Sequence, residues 1–475
     1  MKEIHNKHHG KFLMCKTATL LLLILLTSSC NFFHRKLPDT IPKEYPSRYS
    51  MYSSDPDYNI EWWKQLNSTE LNNLIDMAVN ENFTVLEAWA RLEQAKAQAA
   101  KSASFLYPDV SVNAGAAENR QTTKGSDKVS STNYSLGLLV NYEIDLWGKI
   151  SAADNSSRLQ LKASRDDVST AVMSIAAQIA ETWINLISVS RQEESLKEQL
   201  VINKKLFELI ELRLKHAKAS SIDLYQQQQA IAAINTAMIP IAAQKQLLRH
   251  QLALLLGKPA NYNIEFKQKK FPLISDIPEP GLPLDLLSMR PDIRAAGLRL
   301  KASNWEITVA KADRLPALKL TASHTYSSNE FSTIFDNWLM NLAANATGPV
   351  FDAGRRENEV KRVKAVVDER LAAYRKTVIT AIKEVEDALV KEKHDRQSLT
   401  AKQQQLLISQ KTVKKAGSRY LNGLNDYLPV LREQLNIALF KNSIIKARAD
   451  IIISRIQLQK AVGGSWTDKI KPEKL

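Results

Sequence analysis

Residues that commonly carry out catalysis are present in this chain but do not form a catalytic pattern. Of the eight histidines among the 475 residues, three (His5, His8 and His9) lie within the first ten positions. The sequence has no His-Glu-x-x-His pair, no Gly-x-Ser-x-Gly elbow and no Gly-x-Gly-x-x-Gly loop. The Gly-Lys pairs at 148–149 and 257–258 are followed by Ile and Pro, so neither is a phosphate-binding Walker loop. We therefore expect no enzymatic activity, no cofactor and no metal site.

Cys30 is the residue whose surroundings indicate a covalent modification. A basic start, a short apolar run and three small hydroxyl residues at 27–29 precede it, which is typical of a secretory signal peptide. The apolar run is shorter than the ~20 residues that a membrane-spanning helix needs. We expect a signal peptide over 1–29 and a lipid on Cys30, because the site resembles a bacterial lipoprotein box. An unmodified thiol is the alternative. A Pro-rich, lipid-anchored tether is expected over 30–61.

The chain carries an excess of positive charge. It has 65 Lys and Arg residues against 50 Asp and Glu residues, a net charge of +15. Such an excess can promote binding to a nucleic acid or to an anionic membrane surface. No run of five consecutive basic residues occurs, however, and no aromatic-rich RNA-binding signature does. We interpret the charge as lysines spread over solvated helix faces, and we expect no nucleic-acid partner.

Two stretches that are poor in glycine and proline predict long helices. Residues 149–256 contain no glycine and one proline, and residues 355–416 contain neither. Stretches of this kind can form helices of about 60 residues. In the second, nine apolar residues between Val360 and Leu389 recur about every 3.6 positions, the period of a nearly straight helix. A cytosolic coiled coil is the alternative, and the export signal argues against it.

Four segments alternate apolar with polar side chains and predict β-strands. They lie near residues 110–116, 134–142, 318–326 and 340–346. Each expected strand has about 9–11 residues, the length that a tilted membrane-spanning strand needs. We expect the polar linkers 118–132 and 327–337 to be hairpin loops. An ordinary soluble hairpin is the alternative interpretation.

The chain contains an internal repeat, in which each half reads helix, hairpin, long helix, turn and helix. Pro108 and Pro316 match at an offset of 208 residues, and Gly148 and Gly354 match at an offset of 206. We expect each proline to separate a helix from a strand, and each glycine to supply unusual dihedrals where a strand becomes a helix. The expected boundaries are 62–256 for the first repeat with its hairpin at 109–145, 257–284 for a Pro-rich linker, 285–466 for the second repeat with its hairpin at 317–351, and 467–475 for a C-terminal tail.

Two hairpins give four strands, and four strands cannot close a barrel. Because edges that face lipid must be paired, several chains must share one barrel. Two chains would make eight strands, whose interior is filled by side chains. Three chains would make twelve, which leaves room for a lumen.

Six segments are similar to those of the TolC-like outer-membrane efflux factors, specifically the lipoprotein branch of OprM and nodulation protein T. They read EWWKQLNSTELNNLIDMAVNEN, YEIDLWGKI, GLPLDLLSMRPDIRAAGLRL, GPVFDAGRR, SRYLNGLNDYLPVL and AVGGSW, within residues 60–466. The most specific of them contains Arg290, Pro291 and Asp292, which we expect to form a structural junction. One departure is Ala217, where relatives usually have glycine.

The resemblance implies a mainly α-helical chain with membrane β-strands that assembles as a homotrimer. A twelve-stranded barrel would cross the outer membrane, a twelve-helix periplasmic tunnel would continue it, and a mixed α/β collar would surround the middle. The implied function is the outer-membrane channel lipoprotein of a tripartite efflux pump, which conducts substrates passively. The implied partners are a periplasmic adaptor, an inner-membrane pump of the resistance-nodulation-division type and outer-membrane lipid. A periplasmic adaptor or a structural coiled-coil lipoprotein is the alternative function.

The turns that follow the two longest helices are the candidate adaptor contacts. The resemblance implies that they form the periplasmic tips of the tunnel. We expect the contacts to involve Arg213, Ser220, Asp223, Arg419 and Asn422. A turn without any partner contact is the alternative.

The second of these turns also contains the candidate gate, which consists of Asn425, Asp426 and Tyr427. Relatives often have Asp at the position of Asn425, so we expect the charge to come from Asp426 and to form a ring of three carboxylates in a trimer. Like charges in such a ring favour cation passage and block by divalent ions. We expect the Tyr427 hydroxyl to tie the turn to its neighbour. The alternative is that Asp426 caps the following helix.

Overall fold

The computed structural model describes residues 61–122, 124–125, 128–274, 283–464 and 466. The predicted signal peptide, Cys30 and the C-terminal tail lie outside these residues, as does all of the tether except its last residue. The central part of the Pro-rich linker, 275–282, lies outside them too.

The described elements form two copies of the same series. The first copy consists of α1 (Thr69–Glu81), α2 (Phe83–Ser104), β1 (Asp109–Gln121), β2 (Val129–Ile144), α3 (Lys149–Lys215) and α4 (Ser221–Leu255). The second consists of α5 (Leu286–Met289), α6 (Pro291–Ala312), β3 (Ala317–Ser328), β4 (Trp338–Thr347), α7 (Arg355–Leu421) and α8 (Leu428–Val462). Short 3₁₀ helices lie at Trp62–Leu66, Pro283–Asp285 and Phe331–Thr333. Three of the four pairs of corresponding helices have equal lengths: 22 residues for α2 and α6, 67 for α3 and α7, and 35 for α4 and α8.

The chain divides into two compact units. Of the described residues, 91–165 and 295–375 belong to the first unit and the rest belong to the second. The first unit contains all four strands, which form one antiparallel sheet in the order β1-β2-β3-β4. The second contains both turns that join the long helices. The candidate gate and tip residues therefore all lie in the second unit.

Three of the four strands are longer than the sequence pattern predicts. They have 13, 16, 12 and 10 residues, and the first hairpin stays paired as far as Gln121 opposite Val129. The expected loop at 118–132 was thus too long. Polar residues extend the ladder: Ser130 Oγ on β2 donates across it to Glu118 Oε1 at 3.1 Å, and Arg120 Nε donates to the same oxygen along β1 at 3.0 Å. Such pairs support a strand without apolar alternation.

The junctions between strand and helix have the backbone geometry that the sequence predicts. Gly148 and Gly354 have φ angles of +68° and +81°, in the left-handed region that favours glycine. An aspartate then caps each long helix, since Asp145 accepts from the backbone N–H of Ser151 at 2.8 Å and Asp352 accepts from that of Arg356 at 3.3 Å. Side-chain carboxylates at this end satisfy N–H groups that lack a helical partner.

Pro108 and Pro316 each lie directly before a strand. Helix α2 ends four residues before Pro108, and α6 ends four residues before Pro316. The carbonyl of Pro316 also accepts a hydrogen bond of 2.7 Å from Trp147 Nε1. This bond joins the start of β3 to the segment that follows β2, so the second proline positions both hairpins.

The Arg290-Pro291-Asp292 segment fastens the start of α6 inside the second unit. The Arg290 guanidinium is buried and donates to both carboxylate oxygens of Asp292, at 3.0 and 2.7 Å. The same group donates to Glu384 Oε2 at 2.6 Å and to the carbonyl of Ala461 at 3.0 Å. These contacts join α6, α7 and the end of α8, so the junction predicted from the sequence has a definite physical basis. A buried charge is stable only when it is paired in this way.

Tryptophans from the two ends of the described chain pack together in the second unit. Trp63 and Trp466 are both buried, with ring centroids 4.6 Å apart in an edge-to-face arrangement. Nearby in sequence, Glu70 accepts from Trp183 Nε1 at 2.9 Å and from the backbone N–H of Lys267 at 2.9 Å. Glu70 thereby holds the linker against α1 and α3.

Helix α3 contains a strongly apolar stretch. An 18-residue window within it reaches a mean hydropathy of 1.3, which is enough for a membrane span by composition alone. About 78% of that window is buried inside the chain. Trp183, Ile184 and Ile187 in this helix are fully enclosed. The stretch is apolar because it forms the core of the second unit.

Candidate gate and tip region

The two turns that join the long helices share one backbone design. Each closes with a Schellman motif, in which the Lys218 N–H donates to the Arg213 carbonyl at 2.8 Å and the Leu424 N–H donates to the Arg419 carbonyl at 2.9 Å. The motif requires one residue in the left-handed region. Gly423 takes it in the second turn, with φ of +73°, and Ala217 takes it in the first, with φ of +55°.

The turns differ in length and in how the next helix begins. Five residues, 216–220, separate α3 from α4, whereas six, 422–427, separate α7 from α8. Ser220 and Asp223 form a reciprocal capping box at the start of α4, with two hydrogen bonds of 3.1 Å. Two predicted adaptor contacts are therefore engaged in holding the helix start.

The start of α8 has no such cap. Tyr427 is the N-cap residue, and no side chain caps the helix there. The carboxylate of Asp426 is exposed and makes no hydrogen bond or ion pair among the described residues. The alternative in which Asp426 caps α8 is therefore wrong. Helix α8 begins one position later than α4 does in the first repeat, which leaves the aspartate in front of the cap position.

Arg213 joins the two turns. Its Nη2 atom donates to the carbonyls of Lys218 at 3.1 Å and Tyr420 at 3.4 Å. Its guanidinium carbon also lies 4.8 Å from the centre of the Tyr420 ring, a cation–π distance. Arg213 thus satisfies carbonyls at the end of α7 as well as in its own turn. Arg419 at the corresponding position instead donates to Asn425 Oδ1 at 3.1 Å, and both residues are exposed.

Tyr427 connects the second turn to α4. Its side chain is buried, with 1% of its surface exposed, and its hydroxyl donates to Gln227 Oε1 at 2.6 Å. Burial raises the pKa of the Tyr427 hydroxyl, so it stays protonated and remains a donor throughout the physiological range. The neighbour that the sequence analysis left unnamed is therefore a helix of the first repeat.

A series of buried polar side chains continues this connection along α3. Gln227 Nε2 donates to Asn203 Oδ1 at 2.9 Å, and Asn203 Nδ2 donates to the carbonyl of Gln199 at 2.8 Å. Gln199 Nε2 donates in turn to Ser195 Oγ at 3.3 Å. The sequence analysis missed this series. Its signal was the four-residue spacing of 195, 199 and 203, which puts three polar groups on one face of a helix.

A small apolar core surrounds Tyr427 and unites four helices of the second unit. Its buried members are Ile210, Ala230, Ala416, Tyr420, Tyr427, Val430 and Leu431. They come from α3, α4, α7 and α8, so neither turn can move far without disturbing the other. Interiors packed in this way tend to have discrete arrangements and resist gradual deformation.

Large apolar side chains nevertheless remain exposed beside the turns. Ile222 and Tyr225 on α4 are 64% and 67% exposed, and Leu424 and Leu428 are 64% and 56% exposed. The sequence analysis also missed these residues. Their spacing of three and four positions was the available signal. Each turn thus has two large apolar side chains exposed in it or within its next helix.

The arrangement offers no catalytic chemistry among the described residues of this region. It consists of two rigidly joined turns, one exposed carboxylate and an apolar margin. Such a structure is held together by its buried contacts and presents one carboxylate to solvent.

The comparisons with known proteins assign the chain to a class. The family model described as outer membrane efflux protein matches residues 74–258 and 282–464, which is most of the chain. The chain belongs to the outer membrane efflux protein family, and it is an outer-membrane efflux channel. The members of this family are trimeric channels of tripartite efflux pumps.

Two curated relatives from Pseudomonas aeruginosa match nearly the whole chain. The pyoverdine export outer membrane protein OpmQ is 29% identical over 463 residues, which are 95% of this chain and 97% of that protein. The outer membrane protein OprJ is 30% identical over 424 residues, with coverage of 86% and 87%.

Solved structures agree with the fold. The Campylobacter jejuni outer membrane channel CmeC matches with a TM-score of 0.84 at 24% identity, over 92% of this chain and 96% of that one. The outer-membrane channel OprN matches with a TM-score of 0.81 at 25% identity, over 92% and 98%. These matches confirm the predicted fold class, including its two helix–hairpin–helix repeats.

Proposed function

We propose that three copies of this chain form one continuous duct, through which substrates pass passively from an inner-membrane pump and a periplasmic adaptor to the exterior. The observation that carries the proposal is the open sheet. Strands β1 and β4 lie at its two edges, and neither edge is paired within the described chain. Three such sheets joined edge to edge give twelve strands, enough to enclose a lumen.

Exposed apolar residues on both edge strands support this assembly. Val110 and Val112 on β1 are 62% and 67% exposed, and Met340 and Leu342 on β4, which lie on the same face of the sheet, are 56% and 71% exposed. In a barrel wall, such residues contact lipid, where exposed apolar side chains are stable. In water the same residues would favour aggregation.

We propose that the tips meet the adaptor through their apolar margin, with Arg419 and Asn422 beside it. Ile222, Tyr225 and Leu424 are exposed apolar residues in or near the turns. Arg213, Ser220 and Asp223 act in this proposal by holding the turns in shape, because their polar groups are already engaged. The pump is proposed to be of the resistance-nodulation-division type.

We propose that Asp426 and its symmetry mates form the acidic ring of the gate, with Asn425 beside it. The exposure of Asp426 and its lack of a partner within the described chain support this role. Tyr427 keeps the ring closed through Gln227.

Lipidation of Cys30 is part of the same proposal. A relative named probable outer membrane lipoprotein SilC, from Salmonella typhimurium, is 24% identical over 446 residues. The lipid would add an anchor to the barrel in the outer membrane.

The proposal is tested by extracting the full chain from cells with detergent and measuring its mass and membrane fraction. We expect a trimer in the outer membrane that dissociates only on heating and that conducts ions in a planar bilayer. A monomer in the soluble or inner-membrane fraction would instead support the adaptor function. Cysteines introduced at Ser220 or Asn422 then test the tip by cross-linking to the adaptor in an active pump.

A further inference from the structure

A cavity of about 300 Å³ lies in the second unit between α3, α4 and the linker segment that follows α4. Its lining is mostly basic. The cations are Arg191, Lys197, Lys245, Arg249 and Lys269. Two acids, Glu193 and Glu194, also line it, and Phe266 supplies an apolar wall. We refer to this cavity as the linker pocket.

The two acids neutralise only part of this charge. Glu193 pairs with Lys197 and, at 2.6 Å, with Lys245. Hydrogen bonds from these two lysines hold the pKa of the Glu193 carboxyl at about 2, so it is fully ionised and engaged. Glu194 lies 3.9 Å from Arg191. Within the described chain, Arg249 and Lys269 have no acidic partner.

Two donors in the linker pocket are shielded from solvent and unsatisfied. Arg249 Nε and Ser190 Oγ are both inaccessible to water, and neither has a hydrogen-bond partner among the residues that the structure describes. A buried donor without an acceptor is unfavourable, and most such groups in folded proteins are paired. Arg249 Nε can only donate, so its missing partner is an acceptor, and the Ser190 hydroxyl can donate to the same group. The neighbouring cations favour one that carries negative charge.

We propose that the linker pocket binds a small oxyanion, a phosphate or a carboxylate group, which accepts hydrogen bonds from Arg249 and Ser190. Lys269 adds charge from the linker side. The bound group contacts α3, α4 and the linker together, so it fastens the linker to the helices. This role lies beyond passive conduction and holds whether or not the gate proposal is correct.

Thermal unfolding of the full-length protein in detergent tests the proposal with inorganic phosphate as the probe. Ionic strength is kept constant with KCl. We expect a saturable rise in the unfolding temperature, because a ligand that binds only the folded state stabilises it. Arg249→Gln should weaken phosphate binding at least about tenfold, since it removes a charge-assisted hydrogen bond. Ser190→Ala should weaken it by less.

Arg432→Gln is the matched control, because Arg432 is an exposed arginine of the same unit outside the linker pocket. It should leave the phosphate response unchanged. If Arg249→Gln fails to fold, Ser190→Ala and Lys269→Gln provide the test. A parent protein without a saturable response, or variants that respond like the parent, would overturn the proposal.

Glycerol 3-phosphate distinguishes two sources of the oxyanion, a phosphoglycerol lipid headgroup and free phosphate. If glycerol 3-phosphate binds at least about tenfold more tightly than phosphate, a difference in binding free energy of about 1.4 kcal/mol, the natural ligand is a phosphoglycerol headgroup. Equal or weaker binding would indicate the free ion. Either result supports an oxyanion site.

Discussion

At the scale of single residues, the two turns use the same left-handed position with different residues. Ala217 occupies it in the first turn and Gly423 in the second. A side chain in that conformation costs about 1–2 kcal/mol, whereas glycine adopts it freely. The first turn therefore carries strain that the second avoids.

We predict that Ala217→Gly stabilises the protein. The gain should be about 0.5–1 kcal/mol, because relief of strain exceeds the extra entropy that glycine loses on folding. Gly423→Ala is the mirror-image control and should destabilise by about 1 kcal/mol, since no atom obstructs its Cβ and only the backbone conformation changes. Thermal unfolding in detergent measures both. Shifts of the same sign in the two variants would contradict the argument.

We predict that Asp426→Ala reduces cation selectivity and block by divalent ions in planar-bilayer recordings. The variant removes three carboxylates from the proposed ring and leaves the turn intact, because Asp426 has no bonding partner in the described chain. Asn425→Ala is the control, since it breaks the bond to Arg419 without changing charge. If both variants behave like the parent, the gate lies elsewhere.

We predict that Tyr427→Phe raises conductance through the closed state. The change leaves Gln227 Oε1 buried without its donor, which should cost about 1–3 kcal/mol of closed-state stability. Tyr225→Phe is the matched control, because that tyrosine is 67% exposed. Equal closed-state conductance in the two variants would show that the hydrogen bond between Tyr427 and Gln227 does not hold the channel closed.

At the scale of elements, Arg290 is the residue on which three helices converge. We predict that Arg290→Lys destabilises the second unit by about 3 kcal/mol, because a lysine cannot replace the paired bonds to Asp292 while also reaching Glu384 and the Ala461 carbonyl. Thermal unfolding compared with Arg432→Lys measures the effect. An unchanged unfolding temperature would show that the junction is held by packing alone.

The elements also show what the sequence can and cannot predict. Gly148, Gly354 and the repeat were predictable, because each depends on local backbone geometry or on a comparison of the chain with itself. The bond between Tyr427 and Gln227 was not, since its partners lie 200 residues apart and only packing brings them together. The sequence left open the alternative in which Asp426 caps α8, because the helix begins one position later than its counterpart in the first repeat. The polar ends of β1 and β2 were not predicted as strand, because the pattern used to predict strands is an alternation of apolar and polar side chains.

At the scale of the whole molecule, two kinds of membrane attachment are proposed for one chain. We predict that Cys30→Ser abolishes fatty-acid labelling and still permits trimers, provided that another signal peptide exports the protein. Trimer formation should persist because the barrel and helices carry the contacts between copies. Mass spectrometry of membrane-extracted parent protein gives the direct check: an unmodified Cys30 would refute lipidation.

The equal lengths of α3 and α7, 67 residues each, constrain how this gene can change. Inserting one residue into a helix rotates everything beyond it by about 100° and advances it by about 1.5 Å. An insertion in one long helix alone would turn its buried face outward and misalign its tip with that of the other. Insertions and deletions should therefore survive selection only as compensated pairs, one in each half of the chain. The hairpins escape this constraint, and there the two halves differ by two residues, since the offset falls from 208 at Pro108 and Pro316 to 206 at Gly148 and Gly354.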